Sequence, residues 1–394
     1  MLWLLFAANF NYGFLYGGDA QVPYTFLRRL MGAHTHAYGY QFGLAFFELP
    51  FYGVGAGFDS LGMHTFRTHP IEQTLIALGT VVYVAVTVAL VYVLLRDLGL
   101  RHAALAAGIA LFGTTSFFYG VFSPGQTHTV DTMLATLLVL TTLVGFRRDW
   151  PLGIALLAGA IVGVAVSVRT FEGALGFGLF AGLVVYRKFR PALAVGVAAC
   201  LAYALLAVVP LADGVHLFEG GYNAGSLLRW SPGSPFFMLF TLKRGLFLWT
   251  PVTALAVVGY ILLLRRDREH RPFLVAIGLM AVAVVAIQAA VPFWGAGLSF
   301  SQRYFAALMP IFAVGIGGLL QRRPALGTAA CLVCIAWSMF LALTMSILPY
   351  NDETGGVDEL VHLAGTQSTG SYAYGVWHIS HLKIIVPGHP FSSN

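Results

Sequence analysis

Residues 73–95, Gln73-Thr-Leu-Ile-Ala-Leu-Gly-Thr-Val-Val-Tyr-Val-Ala-Val-Thr-Val-Ala-Leu-Val-Tyr-Val-Leu-Leu95, run straight into Arg96-Asp-Leu-Gly-Leu-Arg101. The first stretch carries no charge and exceeds the ~20 residues a helix needs to cross a bilayer core. The second puts two arginines in six residues at its end. Lysine and arginine are retained on the cytoplasmic side, so the pair of stretches fixes both a span and its direction.

The same pattern repeats outward from there. Basic loops recur at Arg147–Arg148, Arg187 to Arg190, Arg265 to Arg271 and Arg322–Arg323. Taking all five as cytoplasmic, the apolar segments resolve into spans 1–16, 73–95, 103–122, 129–146, 151–168, 171–186, 192–211, 246–264, 273–291, 304–320 and 325–347. The expected fold is all-α, a polytopic transmembrane bundle of about eleven spans occupying 1–347. Residues 17–72 form a first outer loop, and 348–394 an outer tail. Inside that loop, Phe42 to Val54 is apolar but broken by Pro50, which predicts an interfacial or re-entrant helix. The parity is consistent: of 16 acidic residues only Asp97, Asp149, Asp267 and Glu269 fall inside, and of 12 histidines only His102 and His270.

Composition excludes several classes. Charged residues make up 10% of the chain, far below the ~25% of a soluble domain. The formal net charge of +6 sits in the short loops, where orientation explains it, so no nucleic-acid partner is implied. Cys331 and Cys334 have CxxC spacing but lie one turn apart in an apolar span, which reads as packing. The chain has no P-loop, no GxSxG elbow and no dinucleotide fingerprint.

The residues able to carry chemistry fall on the outer side. Asp19 follows Gly17–Gly18 where the first helix leaves the membrane, and a carboxylate at that boundary suits proton acceptance; a helix-ending interfacial acid is the plainer reading. His128 and Asp131, three apart, share one face at a helix start after the Pro124–Gly125 turn; they line a polar pocket or serve as a solvated cap. Arg169, with Glu172 at i+3, sits at a recessed turn between two barely sufficient spans, a structural pair or a functional cation. Lys243–Arg244 and Arg303 are further outer cations that the orientation rule does not explain. A lipid phosphate would, because arginine's planar fork matches phosphate oxygens, as would snorkelling to ordinary headgroups. The pairs His34/His36, His64/His69 and His378/His381 match no zinc spacing. No cofactor is assigned, and a divalent-metal requirement is left open.

Taken in order, Gly18-Asp19, Tyr24-Thr-Phe-Leu-Arg-Arg-Leu30 and Phe42-Gly-Leu-Ala-Phe-Phe-Glu-Leu-Pro50 resemble the first outer loop of the C-type integral-membrane glycosyltransferases. The bacterial branch similar to dolichyl-phosphate-mannose protein mannosyltransferases is the nearest. Phe117-Phe-Tyr119 with Thr127-His-Thr129, Ser167-Val-Arg169, Lys243-Arg-Gly-Leu-Phe-Leu-Trp-Thr-Pro251 and Trp294-Gly-Ala-Gly-Leu-Ser-Phe-Ser-Gln-Arg303-Tyr extend it across most of residues 10 to 325. The resemblance implies a polyprenyl-phosphate sugar donor and a hydroxyl acceptor on a lipid, glycan or protein. It implies an active site facing outward from the bacterial plasma membrane. Asp19 would be the general base, though Gly18 and Ala20 flank it where many relatives carry a second acid. His128, Asp131 and Arg169 would orient substrate, and Lys243, Arg244 and Arg303 would meet the lipid phosphate.

Two other classes remain open on the residues alone. A transporter or flippase of a lipid-linked sugar also gathers cations and acids in a bundle, although no internal repeat is visible. An inactive membrane scaffold would keep the bundle without the chemistry.

Overall fold

A bilayer offers no partner for a bare N–H or C=O, so a chain this apolar must close its backbone hydrogen bonds within helices. The computed structural model describes residues 18–33, 41–66, 69–215, 217, 234–290, 299–347, 357 and 361. Within them the fold is all-α, apart from a two-residue antiparallel strand pair, Thr65–Phe66 with His69–Pro70. The helices are α1 Gly18–Leu30, α2 Phe42–Ser60, α3 Ile71–Asp97, α4 Ala103–Gly113, α5 Thr115–Val121, α6 Thr127–Arg147, α7 Leu152–Val168, α8 Gly173–Val185, α9 Phe189–Ala212, α10 Ser234–Phe240, α11 Leu246–Trp249, α12 Val252–Arg266, α13 Arg271–Ala289, α14 Met309–Arg322 and α15 Pro324–Ile347. Short 3-10 turns at Thr170–Glu172 and Arg303–Leu308 lead into α8 and α14.

Six helices among the described residues are long and apolar enough to cross a membrane, or seven if the α4–α5 pair counts as one. That makes the chain a multi-pass membrane protein. Of the other expected spans, 1–16 lies outside the described residues, and the rest are shorter or interrupted. The 103–122 segment bends by 70° between α4 and α5. Thr114 is the cause: its extended backbone ends α4, its hydroxyl donates to the Ala110 carbonyl at 2.7 Å, and the same oxygen accepts from Ser116 N–H at 3.4 Å to begin α5. The 246–264 segment divides at Thr250–Pro251, between α11 and α12. The 151–168 and 171–186 spans are helices of 17 and 13 residues.

The five basic loops gather at one end of the bundle. Arg147 reaches the Asp97 carbonyl and lies 3.3 Å from His270 Nε2, joining the 96–101, 147–148 and 265–271 loops. Lys188 pairs with Asp149, and Gly317 of α14 packs against Leu95 and Leu100.

At the opposite end the helices stop at different depths. α3 and α6 finish together at the basic end, yet Gly125 N–H, just before α6, donates to Thr80 Oγ1 at 2.9 Å. Thr80 lies nine residues into α3, so α6 begins about 14 Å short of the outer tip of α3 at 1.5 Å per residue. Into this recess folds α2, antiparallel to α3. Gly55 packs on Glu72, Phe51 on Gly79, and Tyr83 Oη donates to the Phe47 carbonyl at 2.5 Å. At its inner end Gly43 lies flat on Ser167 and the Val168 backbone, where any Cβ would collide. The apolar segment expected over Phe42 to Val54 is thus a single helix, packed along α3, that runs on to Ser60.

Lipid tails are as apolar as leucine, so helices here associate by close packing of small residues. Gly159 and Gly163 of α7 face the Val195 and Ala199 carbonyls of α9, with no room for a side chain. Gly159→Leu is therefore expected to cost about 1–3 kcal/mol or more through overpacking. It would be read as a lower unfolding midpoint in detergent. Gly153→Leu, at a position of the same helix where a Cβ meets nothing, should leave the midpoint nearly unchanged.

Candidate functional site

The site grows from the start of α6. His128 and Asp131 occupy its first turn and are 2% and 1% exposed, so they are core residues rather than a solvated cap. Opposite them α7 ends at Arg169, whose extended backbone turns its side chain inward before the Thr170–Glu172 turn. Arg169 Nη1 lies 3.5 Å from Asp131 Oδ2, 3.8 Å from Glu172 Oε1 and 3.4 Å from His128 Nδ1. Its guanidinium also stands 5.0 Å from the centroid of Tyr304. One cation thus faces two buried carboxylates and a histidine. Attraction is strong where water is excluded, and so is the penalty for removing a partner.

A second cation shares the Tyr304 ring: Arg303 lies 5.7 Å from its centroid. Arg303 acts electrostatically on both His128 and the Tyr119 hydroxyl, and Arg244 acts on Tyr119 as well. Arg244 is fully buried, 5.1 Å over Trp249, with Nη1 donating to the Lys243 carbonyl at 3.1 Å. The turn that carries it is pinned by Trp249 Nε1 donating to the Leu242 carbonyl and by Ser338 Oγ donating to the Trp249 carbonyl, both at 3.0 Å. Phe300 completes the frame, stacked on Phe118 at 4.8 Å and edge-on to Trp249 at 5.4 Å. Next to it, Ser301 has φ 54. A non-glycine residue in the left-handed region is a local cost that the surrounding packing must hold.

Five of the seven residues singled out from the sequence therefore come together: His128, Asp131, Arg169, Arg244 and Arg303. They meet around Tyr119 and Tyr304 at the end of the bundle away from the basic loops. Lys243 instead is exposed on the outer side of its turn. Asp19 falls in the first turn of α1, and its side chain lies outside the described residues. The helix carrying it docks on α2, and Arg29 at its far end pairs with Asp213 after α9 at 2.7 Å. Of the other outer features, residues 291–298, His34, His36, His378 and His381 lie outside the described residues. His64 is exposed and 2.6 Å from Asp59. Among the described residues no three His, Cys, Asp or Glu side chains gather as a metal site requires.

Glu48 was not singled out, yet it is the one charged side chain between Phe42 and Val54. It is 4% exposed, and neither carboxylate oxygen has a hydrogen-bond partner among the described residues. Burial holds its carboxyl well above the ordinary range. An ionisable residue inside an apolar helix was the available signal. Gln302, 0% exposed with both amide atoms unpartnered among the described residues, was likewise missed.

No known family model matches this chain, and no curated protein is significantly similar to it. The fold and the site define an all-α, multi-pass membrane protein with a buried, arginine-rich polar centre.

Arg169→Ala strands Asp131 and Glu172 in the core. A loss of about 3–5 kcal/mol, the usual cost of breaking a buried pair, is expected in detergent unfolding. Arg29→Ala breaks a partly exposed pair and should cost no more than about 1 kcal/mol. Glu48 gives a pH signature. Its folded-state pKa is raised, so the folded protein holds a proton the unfolded chain releases above about pH 4.3. Wild-type stability should fall with rising pH in that range. Glu48→Gln should remove this slope, matching wild type near pH 4 and gaining on it toward neutrality.

Proposed function

We propose that this protein is a membrane glycosyltransferase that moves a sugar from a polyprenyl-phosphate donor to a hydroxyl of a lipid, glycan or protein acceptor. The observation that carries the reading is the gathering of Arg169, Arg244 and Arg303 around Tyr304 and Tyr119, at the end opposite the basic loops. Cations at that end run against the orientation rule. Arginines that are buried (Arg169, Arg244) or half-buried (Arg303) and set against aromatic rings suit a ligand with phosphate oxygens, for which the guanidinium fork is matched. The recess occupied by α2 gives an apolar edge along which a polyprenyl tail can enter.

In this reading the basic loops face the cytoplasm of a bacterial cell, about eleven segments cross its plasma membrane, and the polar centre opens outward. Asp19 takes the proton of the acceptor hydroxyl. The freed oxygen attacks the anomeric carbon, the bond from that carbon to the phosphate oxygen breaks, and the configuration inverts. The electron pair leaves with the lipid phosphate, whose growing charge Arg303 and Arg244 stabilise in the transition state. Lys243, exposed on the same turn, meets the phosphate from the solvent side. His128, Asp131 and Arg169 set the orientation of the sugar.

The reading is tested with radiolabelled sugar on a polyprenyl-phosphate donor. Asp19→Asn should lower transfer by about 10²-fold or more, as loss of a general base does, with donor binding kept. Arg303→Ala should weaken donor binding about tenfold or more, the scale of one charge-assisted contact. Full turnover by the first variant would remove Asp19 from catalysis. Donor flipped between leaflets without any transfer would instead mark a flippase.

A further inference from the structure

The short helix α10 has one face turned into the bundle and one turned out. Ser234 and Met238, a turn apart, are buried, whereas Phe236, Phe237 and Phe240 are exposed. The chain then reverses. Gly245 N–H donates to the Thr241 carbonyl at 2.7 Å, so tightly that a Cβ on Gly245 would strike the Thr241 backbone. The reversal brings Phe247 of α11 back beside Phe240. Ring centroids lie 5.1 Å apart for Phe236 and Phe240, and 5.2 Å apart for Phe240 and Phe247, which makes one continuous aromatic strip.

The turn between the last two rings carries Lys243, exposed, and Arg244, enclosed. Its inner side is filled. Trp249 Nε1 and the Val357 N–H both donate to the Leu242 carbonyl at 3.0 Å, and Arg244 lies over Trp249. The outer side presents rings and one amine. From here α11 and α12 lead to the basic loop at Arg265, so the strip stands at the end of the bundle away from the basic loops.

Anchors at a membrane surface are commonly tryptophan and tyrosine, whose polar tips face the headgroups. Phenylalanine has no such tip, so a strip built from it suits hydrocarbon chain rather than headgroup. An apolar strip that ends at a cation complements a ligand of the same plan, a hydrocarbon chain ending in a phosphate.

We propose that Phe236, Phe240 and Phe247 seat the isoprene units of the donor next to its phosphate, which Lys243 meets at the end of the strip. The inference rests on the glycosyl-transfer reading and extends it by choosing between two apolar edges. The edge beside α2 borders a recess, whereas the strip runs into the turn that carries Lys243 and Arg244.

The test is photolabelling of the full chain in nanodiscs, with farnesyl phosphate carrying a diazirine in its last isoprene unit. Mass spectrometry of the digest should place the label within 234–248. Undecaprenyl phosphate should compete it away, and dioleoyl phosphatidic acid, an ordinary lipid with a phosphate, should not. Phe240→Ser should weaken the probe's apparent affinity about tenfold, the worth of roughly one ring's contact, with the unfolding midpoint kept because the ring is exposed. Phe240→Leu, still apolar, should keep most of the affinity. Lys243→Ala should bring the phosphate probe down to the level of the matching farnesol probe. Label that undecaprenyl phosphate displaces but that maps to α2 overturns the seat and leaves the donor reading standing. Equal displacement by phosphatidic acid means a phospholipid occupies the strip, and it overturns the proposal too, as does undiminished labelling of a folded Phe236→Ser/Phe240→Ser double variant. If undecaprenyl phosphate displaces label nowhere, the donor reading itself fails and takes this inference with it.

Discussion

The polar centre depends on one ion cluster, the Arg169 guanidinium set between Asp131, Glu172 and His128. A charge removed from water must be met by opposite charge and by hydrogen bonds. Here the partners come from two places, the first turn of α6 and the turn between α7 and α8. The cluster therefore fixes the depth at which α7 stops and the rotation of α6 about its axis. Gly43, packed on Ser167 and Val168 just before Arg169, carries that position to α2.

Around the cluster, aromatic rings take the place that water would fill in a soluble site. Tyr304 is shared by Arg169 and Arg303, Trp249 carries Arg244, and Phe300 links Trp249 to Phe118. A ring face attracts a cation and costs little to bury, so such stacking holds guanidinium groups where lone ones would be expensive. The bend at Thr114 matters for the same reason. It turns α5 so that Ser116 and Tyr119 stand beside His128, which a straight helix through 103–122 would not achieve.

Much of this was legible in residue order. The five basic loops, read as lying on one side, do meet at one end through Arg147, Asp97, His270 and Lys188 with Asp149. The three-residue spacing of His128 and Asp131 predicted a shared face, and Arg169 with Glu172 a pair at a recessed turn. Burial was not legible. Arg244 and Lys243 are neighbours in sequence, yet one is enclosed and the other exposed, because the Trp249 contact exists only once the turn docks on α15. Glu48 passed unnoticed inside an apolar run, since its surroundings are supplied by helices distant in sequence.

By itself the sequence determined an all-helical membrane chain, the end at which its basic loops gather, and the residue types at the other end. Length, hydropathy and charge placement are local properties, and the bilayer acts on them segment by segment. The tertiary structure alone decided which cations share a ring, where helices break or stop short, and which charged side chains are enclosed. Those outcomes follow from packing and charge pairing between segments far apart along the chain, 135 residues for Arg169 and Tyr304 and 184 for Arg29 and Asp213, and no single stretch encodes them.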